Sequence, residues 1–253
     1  MENNKILKAL GIEPINYEQE NKNNMAFWFP LLKMIKMRVP KTILIHTGNC
    51  DLSNMVDGRR VEGIELFLDR METAIEEIGL PCFIRSGMTS NKHDWKNSCY
   101  FDGPSNALLS HIYTIVQHSF MANIVGLPLD YSLWAVREII PTKTIFIDFN
   151  HMPITKERRL FIDKGEVICN HPYWPRDCFK LEHTEQEFNE LQSITTHEEE
   201  ELKLMAEYVG KYFTGFWSVD FLQDTAYNWW LIDMAVGERS YHYLDCRIER
   251  EVK

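Results

Sequence analysis

The sequence predicts an α+β fold with mainly antiparallel sheets. Three observations predict it. Strands come first, then helix, then further strands grouped in hairpins. The runs Arg158–Ile162 and Glu166–Asn170 are joined by Asp163-Lys164-Gly165, a hairpin turn. Two runs rich in aromatic and branched residues, Trp217–Leu222 and Trp229–Ala235, flank the polar turn Gln223–Asn228 and read as a second hairpin.

The elements follow in order. Residues 1–24 are polar and read as a helix followed by a loose segment. Val39–His46 reads as a buried strand that ends at Thr47-Gly48. Gly63–Ile78 carries Ile64, Phe67, Leu68, Met71, Ile75 and Ile78 on one stripe, an amphipathic helix that Gly79 stops. Pro81–Arg85 is a short strand running into the polar loop Ser86–Asp94. A helix is expected over Ser105–Val125, ending at Gly126. Leu133–Ile140 is a strand stopped by Pro141, and Lys143–Phe149 and Arg158–Ile162 are expected to continue the sheet. The charged stretch Glu182–Glu201 leads into a helix over about 197–213, and a loop and last helix follow Gly237.

A chain of 253 residues makes one large domain or two small ones, and 45% hydrophobic with 25% charged residues is an ordinary globular composition. The net charge of −10 disfavours a nucleic-acid partner. The longest apolar stretches fall short of a membrane span, and the N-terminus does not open a secretory signal, so a cytoplasmic protein is expected. The six cysteines are scattered without a Cys-x-x-Cys pair or zinc-finger spacing, and reduced thiols are the simplest account. The nine histidines lack an HExxH pattern and read as surface or packed residues.

The chemistry concentrates in four segments. Folding the C-terminal hairpin about Ala226 and Tyr227 sets Asp220 opposite Asp233, both on one face. Facing like charges destabilise a strand pair, so a cation is expected between them, a hard divalent ion such as Mg²⁺ carrying a phosphate chain. Solvated strand-end acids are the plainer alternative. Glu238, behind Asp233, is a possible third carboxylate. The loop after Arg85, with Gly87, Thr89, Ser90 and Lys92, could bring N–H groups and charge to phosphate oxygens, though it is no Walker A motif and taken alone reads first as a solvated loop. The strand end Val136-Arg137-Glu138-Ile139-Ile140-Pro141 leaves backbone groups for a flat ring such as adenine. Glu157-Arg158-Arg159 puts Glu157 and Arg159 on one strand face, as a triphosphate clamp or a cross-strand salt bridge.

These four segments in this order resemble the ATP-grasp superfamily over about residues 80–245. The nearest likeness is to stand-alone phage and bacterial members. A more distant one is to the eukaryotic cell-division-cycle ATP-grasp protein that assists assembly of a translation initiation factor. The resemblance implies two α+β subdomains clasping ATP, with residues 1–80 as an α/β pre-grasp segment, 81–253 as the grasp domain and a hinge near 136–142. It implies that Arg85 and Lys92 contact phosphate, that Arg137, Glu138, Ile139 and Ile140 form the adenine hinge, and that Glu157 and Arg159 lie near the γ-phosphate. Lys92 and Arg159 are the expected catalytic cations, and Asp220 and Asp233 the Mg²⁺ ligands. One departure stands out. Two residues after the second metal acid the family usually has Asn or another ligand, and here the residue is Ala235.

The expected function is an ATP- and Mg²⁺-dependent ligase that activates a carboxylate as an acylphosphate for an amine or similar nucleophile, with a peptide or protein among the acceptors. The alternative is an ATP-binding assembly chaperone or binding module without ligase turnover, which Ala235 favours. End-joining of nucleic acids is disfavoured by the charge balance and the absence of Lys-x-Asp-Gly. No protein nucleophile is required, so Cys82 and Cys99 read as packing residues.

Overall fold

The computed structural model describes residues 21–127, 129–243 and 246. The expected helix within residues 1–24 and the last helix beyond Gly237 fall largely outside these. In chain order the helices are α1 (Met25–Met34), α2 (Ile64–Ile78), α3 (Ser105–Ile124), α4 (Glu185–Gln192) and α5 (Thr196–Gly210). The strands are β1 (Thr42–His46), β2 (Cys82–Ser86), β3 (Tyr100–Phe101), β4 (Leu133–Glu138), β5 (Phe146–Asp148) and β6 (Met152–Ile154), followed by β7 (Glu157–Asp163), β8 (Glu166–Pro172), β9 (Phe216–Gln223) and β10 (Trp229–Val236).

Two four-stranded antiparallel sheets carry the architecture. The first has the order β1-β4-β2-β3 and the second β10-β9-β7-β8. β1 runs along β4 from Thr42 opposite Arg137 to His46 opposite Leu133, so a strand from the first eighty residues belongs to the first sheet. The apolar stripes of α2 and α3 cover that sheet's outer face. Phe67, Met71, Ile112 and Ile115 meet Trp134 and Val136 in one buried cluster, while Ile64, Leu68 and Ile78 sit at its rim. Gly79 ends α2 with φ 93°, a backbone angle that a side chain would strain.

The second sheet buries Leu160, Val219, Phe221 and Leu231 against Leu202 and Val209 of α5. α1 adds Trp28 and Leu32 to the same core, which also takes Leu133 and Ala135 from β4, so α1 and β4 tie the two sheets together. Lys164 and Gly165, with φ 50° and 92°, make the tight β7–β8 turn that the sequence predicts.

Two expectations need correction. Residues 143–149 do not extend a main sheet. β5 pairs only with β6, because Phe149, Asn150 and His151 all have positive φ and turn the chain back on itself. Buried Asp148 fixes the turn by accepting from the N–H groups of Phe149, Lys180 and Leu181. The stretch before α5 holds an additional helix, α4, whose capping box joins Thr184 and Glu187. Its single buried residue, Leu191, left little apolar periodicity to read.

Candidate functional site

The C-terminal hairpin has the expected pair of acids, and a bulge makes it possible. Near the turn Trp229 pairs with Gln223 and Leu231 with Phe221, a register that would put Ile232 opposite Asp220. One extra residue at Ile232 shifts the ladder, and Asp233 comes to face Asp220. Leu231 and Met234 both point into the core, while Ile232 and Asp233 both line the cleft. Strict alternation from Leu231 would have buried Asp233 among apolar side chains.

Each acid already has a cation. Arg159, the register partner of Asp220 on β7, grips it with two parallel bonds, Nε to Oδ1 at 2.7 Å and Nη2 to Oδ2 at 2.8 Å. Arg85 of β2 reaches from the other sheet to Asp233 Oδ2 at 2.9 Å. The bulge is used a second time, since Arg137 on β4 donates from Nη1 to the Ile232 carbonyl at 2.8 Å. Arg137 also donates to Thr42 Oγ1, and its buried Nη2 has no hydrogen-bond partner among the described residues.

Between the sheets lies a cavity of about 500 Å³. Arg85, Lys92 and Arg137 enter it from one side and Glu157, Asp220 and Asp233 from the other. Glu138, Ile139 and Ile140 line it beyond the end of β4. Lys92 lies 3.4 Å from Glu157 Oε2 and 3.8 Å above the Tyr173 ring. Burial works against the Lys92 ammonium, but Glu157 and Tyr173 outweigh it and raise its pKa. The Glu157 carboxyl is also pushed up, by burial that Lys92 only partly offsets. The Arg159 pKa is raised because Asp220 more than compensates its burial. The Arg137 pKa is lowered by burial and by its neighbour Arg85. A desolvated guanidinium with an idle N–H beside a cavity is a receptor for an anion.

Of the expected site residues, the cavity gathers Arg85, Lys92, Arg137, Glu138, Ile139, Ile140, Glu157, Asp220 and Asp233. Arg159 is not in its lining. It stands behind Asp220 and beneath Tyr173, so its contact is with the acid rather than with the cavity. Glu238 lies exposed on the short turn Gly237–Arg239, outside the lining, because the chain leaves the sheet after Val236. Ala235, opposite Ser218, offers no ligand atom in Glu238's place. In the loop after β2, four of the N–H groups are taken within the fold. Gly87 donates to Leu133 O, Met88 and Thr89 to Ser86 Oγ, and Asn91 to Thr89 Oγ1. The loop instead positions Lys92 and His93. His93 stacks on Phe149 at 4.4 Å and lines the cavity, as does Tyr173. Tyr173 follows directly on β8, and its N–H donates to the Glu157 carbonyl. Cys82 and Cys99 are packing residues as expected, fully buried, with thiols pushed up to about 12 by burial.

No family model matches the sequence, and no curated protein matches it. Solved structures do match. Cdc123 from Schizosaccharomyces pombe aligns over 85% of this chain and 83% of its own at 14% identity and a TM-score of 0.52. The RimK domain protein ATP-grasp from Sphaerobacter thermophilus aligns over 85% of this chain at 13% identity and a TM-score of 0.45, and the chain spans only 58% of that protein's length. D-alanine–D-alanine ligase from Bacillus anthracis, complexed with ATP, covers 92% of this chain and 60% of its own at 11% identity, with a TM-score of 0.47. The likeness shows the fold alone: with two antiparallel sheets opposed across a polar cleft, the chain has the ATP-grasp fold.

Proposed function

We propose that the cleft binds ATP with Mg²⁺ and that the protein is a ligase, activating a carboxylate as its acylphosphate for attack by an amine or similar nucleophile. One observation carries this reading: three cations from the first sheet's side and three acids from the second converge on a single cavity. A polyphosphate needs fixed cations that are short of anions, and Arg137, with its idle Nη2, meets that need. The segment Glu138–Ile140 would take the adenine. Asp220 and Asp233 fit a divalent metal by donor chemistry, two hard carboxylates held opposite each other. With Ala235 adding no donor, phosphate oxygens and water would complete the shell. When bound, the ion supplies neutralising charge to the phosphate chain.

In the reaction an acceptor carboxylate oxygen bonds to the γ-phosphorus as the bond to ADP breaks. The amine nitrogen then bonds to the acyl carbon, phosphate leaves, and the nitrogen gives up a proton. Lys92 would hold the transferring group electrostatically, and Arg159 acts at one remove by orienting Asp220. Incubation with ATP, Mg²⁺ and panels of carboxylates and amines, peptides included, tests this. ADP should turn over repeatedly when both co-substrates are present, with a condensed product seen by mass, and a carboxylate alone should give at most the single turnover that forms the acylphosphate.

Ala235 and the engagement of both acids by arginines favour a second reading, an ATP-binding module whose occupancy controls assembly with a protein partner. Tight ATP binding without turnover across the panel, together with ATP-dependent capture of one stable partner, would select it.

A further inference from the structure

The spacing of cysteines and histidines predicts no metal ligands, but the fold gathers four of these residues in one place. Cys169 and His171 are two residues apart on β8 and so share a face. The chain beyond β10 returns across that face. The His242 ring meets Phe161 edge-on at 4.6 Å, and Tyr243 stacks on His171 at 5.1 Å. Cys246, whose N–H donates to the Tyr243 carbonyl, lies at the same place. One ligand atom from each of Cys169, His171, His242 and Cys246 lies within 4.8 Å of all the others.

The ligand atoms crowd around one point. His242 Nε2 is 3.0 Å from Cys169 Sγ and 3.3 Å from His171 Nε2. The one in-plane lone pair or proton on that nitrogen is shared between two neighbours. A cation among them can bind all four. Zn–N bonds of about 2.0–2.1 Å and Zn–S bonds of about 2.3 Å give a tetrahedron with edges of roughly 3.3–3.8 Å. The nitrogen–nitrogen separation of 3.3 Å is such an edge, and the nitrogen–sulfur separation of 3.0 Å has to open to about 3.5 Å around the ion.

We propose that Cys169, His171, His242 and Cys246 bind one Zn²⁺ in a closed, four-ligand site that clamps the segment after β10 onto β8. Two thiolates and two neutral imidazoles suit zinc, and a full protein shell leaves no position for substrate, so the role is structural. The clamp bears on the cleft. His171 is the register partner of Arg159, and Arg159 Nη1 donates to the Tyr241 carbonyl at 3.4 Å. The metal therefore holds the strap that backs the Arg159–Asp220 pair. The sequence signal was Cys-x-His on a strand answered by His-x-x-x-Cys at a turn, a pairing that only the return of the chain makes visible.

Elemental analysis of the full-length protein, purified without a metal-affinity step, should find one zinc per chain. Zinc should be released by a thiol-blocking reagent and be replaceable by Co²⁺. The Co²⁺ form should show intense tetrahedral d–d bands and a thiolate charge-transfer band. Cys246→Ser and His242→Ala should lose the metal, and Cys246→His should keep it. Thermal unfolding with and without chelator should separate the zinc-loaded and stripped forms. Failure of the wild-type protein to take up zinc or give the Co²⁺ spectrum overturns the proposal, whatever the variants do. So does a disulfide between Cys169 and Cys246 in place of metal, read from an intact mass two protons low, or full zinc retention by Cys246→Ser.

Discussion

The two sheets bring opposite charge to the cleft and neutralise it by different means. The cleft side of the first sheet presents Arg85 and Arg137, with Lys92 from the following loop. The second sheet presents Glu157, Asp220 and Asp233, and its one cleft-face arginine, Arg159, is committed to Asp220. That pair is internal to the sheet, set by strand register, and its carboxylate is only 7% exposed. The Arg85–Asp233 pair crosses between sheets through one contact, and its carboxylate is 37% exposed. Asp220 is thus prepositioned, whereas Asp233 and the first-sheet cations hold interactions that a ligand can exchange.

The sharpest way to break this contrast is Arg159→Met. It strands a buried carboxylate and should cost about 3–5 kcal/mol in denaturant unfolding. A loss as small as that of an exposed pair would mean that the internal pair anchors nothing. Arg137→Met should do the reverse, leaving unfolding unchanged or slightly improved because it removes a desolvated cation with an idle N–H, while weakening ATP binding by about 1.5–3 kcal/mol in calorimetry. Asp233→Asn should cost under about 1 kcal/mol of stability, since the carboxylate is 37% exposed and the amide oxygen can still accept from buried Arg85. It should weaken ATP binding only when Mg²⁺ is present, and an equal loss without Mg²⁺ would remove Asp233 from the metal site.

A control lies away from the cleft. Glu198, the capping-box residue of α5, resists partial burial. It accepts hydrogen bonds from the Thr195 backbone and hydroxyl, from Gln223 and from Lys156, which bring its carboxyl down to about 2. A depressed carboxyl stabilises the fold above its ordinary 4.5, and that stabilisation drains away as pH falls from there towards about 2. Glu198→Gln should therefore cost about 1 kcal/mol near neutrality, with the gap to wild type closing in acid, as urea unfolding at several pH values would read.

The fold was legible wherever period and punctuation agreed. α2 follows its stripe and stops at Gly79, and the β7–β8 turn falls at Lys164-Gly165 as the residues require. The facing of Asp220 and Asp233 was legible too, but for an incomplete reason. Counting back from a turn at Ala226 and Tyr227 finds the right partners, while the pairs nearest the turn are offset by one because Ile232 is inserted. Strand alternation placed Arg159 on the cleft face but could not tell that its register partner would absorb it. The four metal-type ligands were invisible because their two halves are over seventy residues apart, as the Cys169–His242 separation of 73 shows. Local spacing carries no information about a contact made by the returning chain.

The inserted Ile232 also governs how this strand can be matched to remote relatives. At identities near 14%, residues in such strands are equated by counting along the chain. A regular strand has one residue where this protein has Ile232 and Asp233 together, so a gap-free match that superposes the core position of Leu231 sets Ile232 where the cleft-facing residue belongs. Placing a single gap at 232 brings Asp233, Met234 and Ala235 back into step with such a strand.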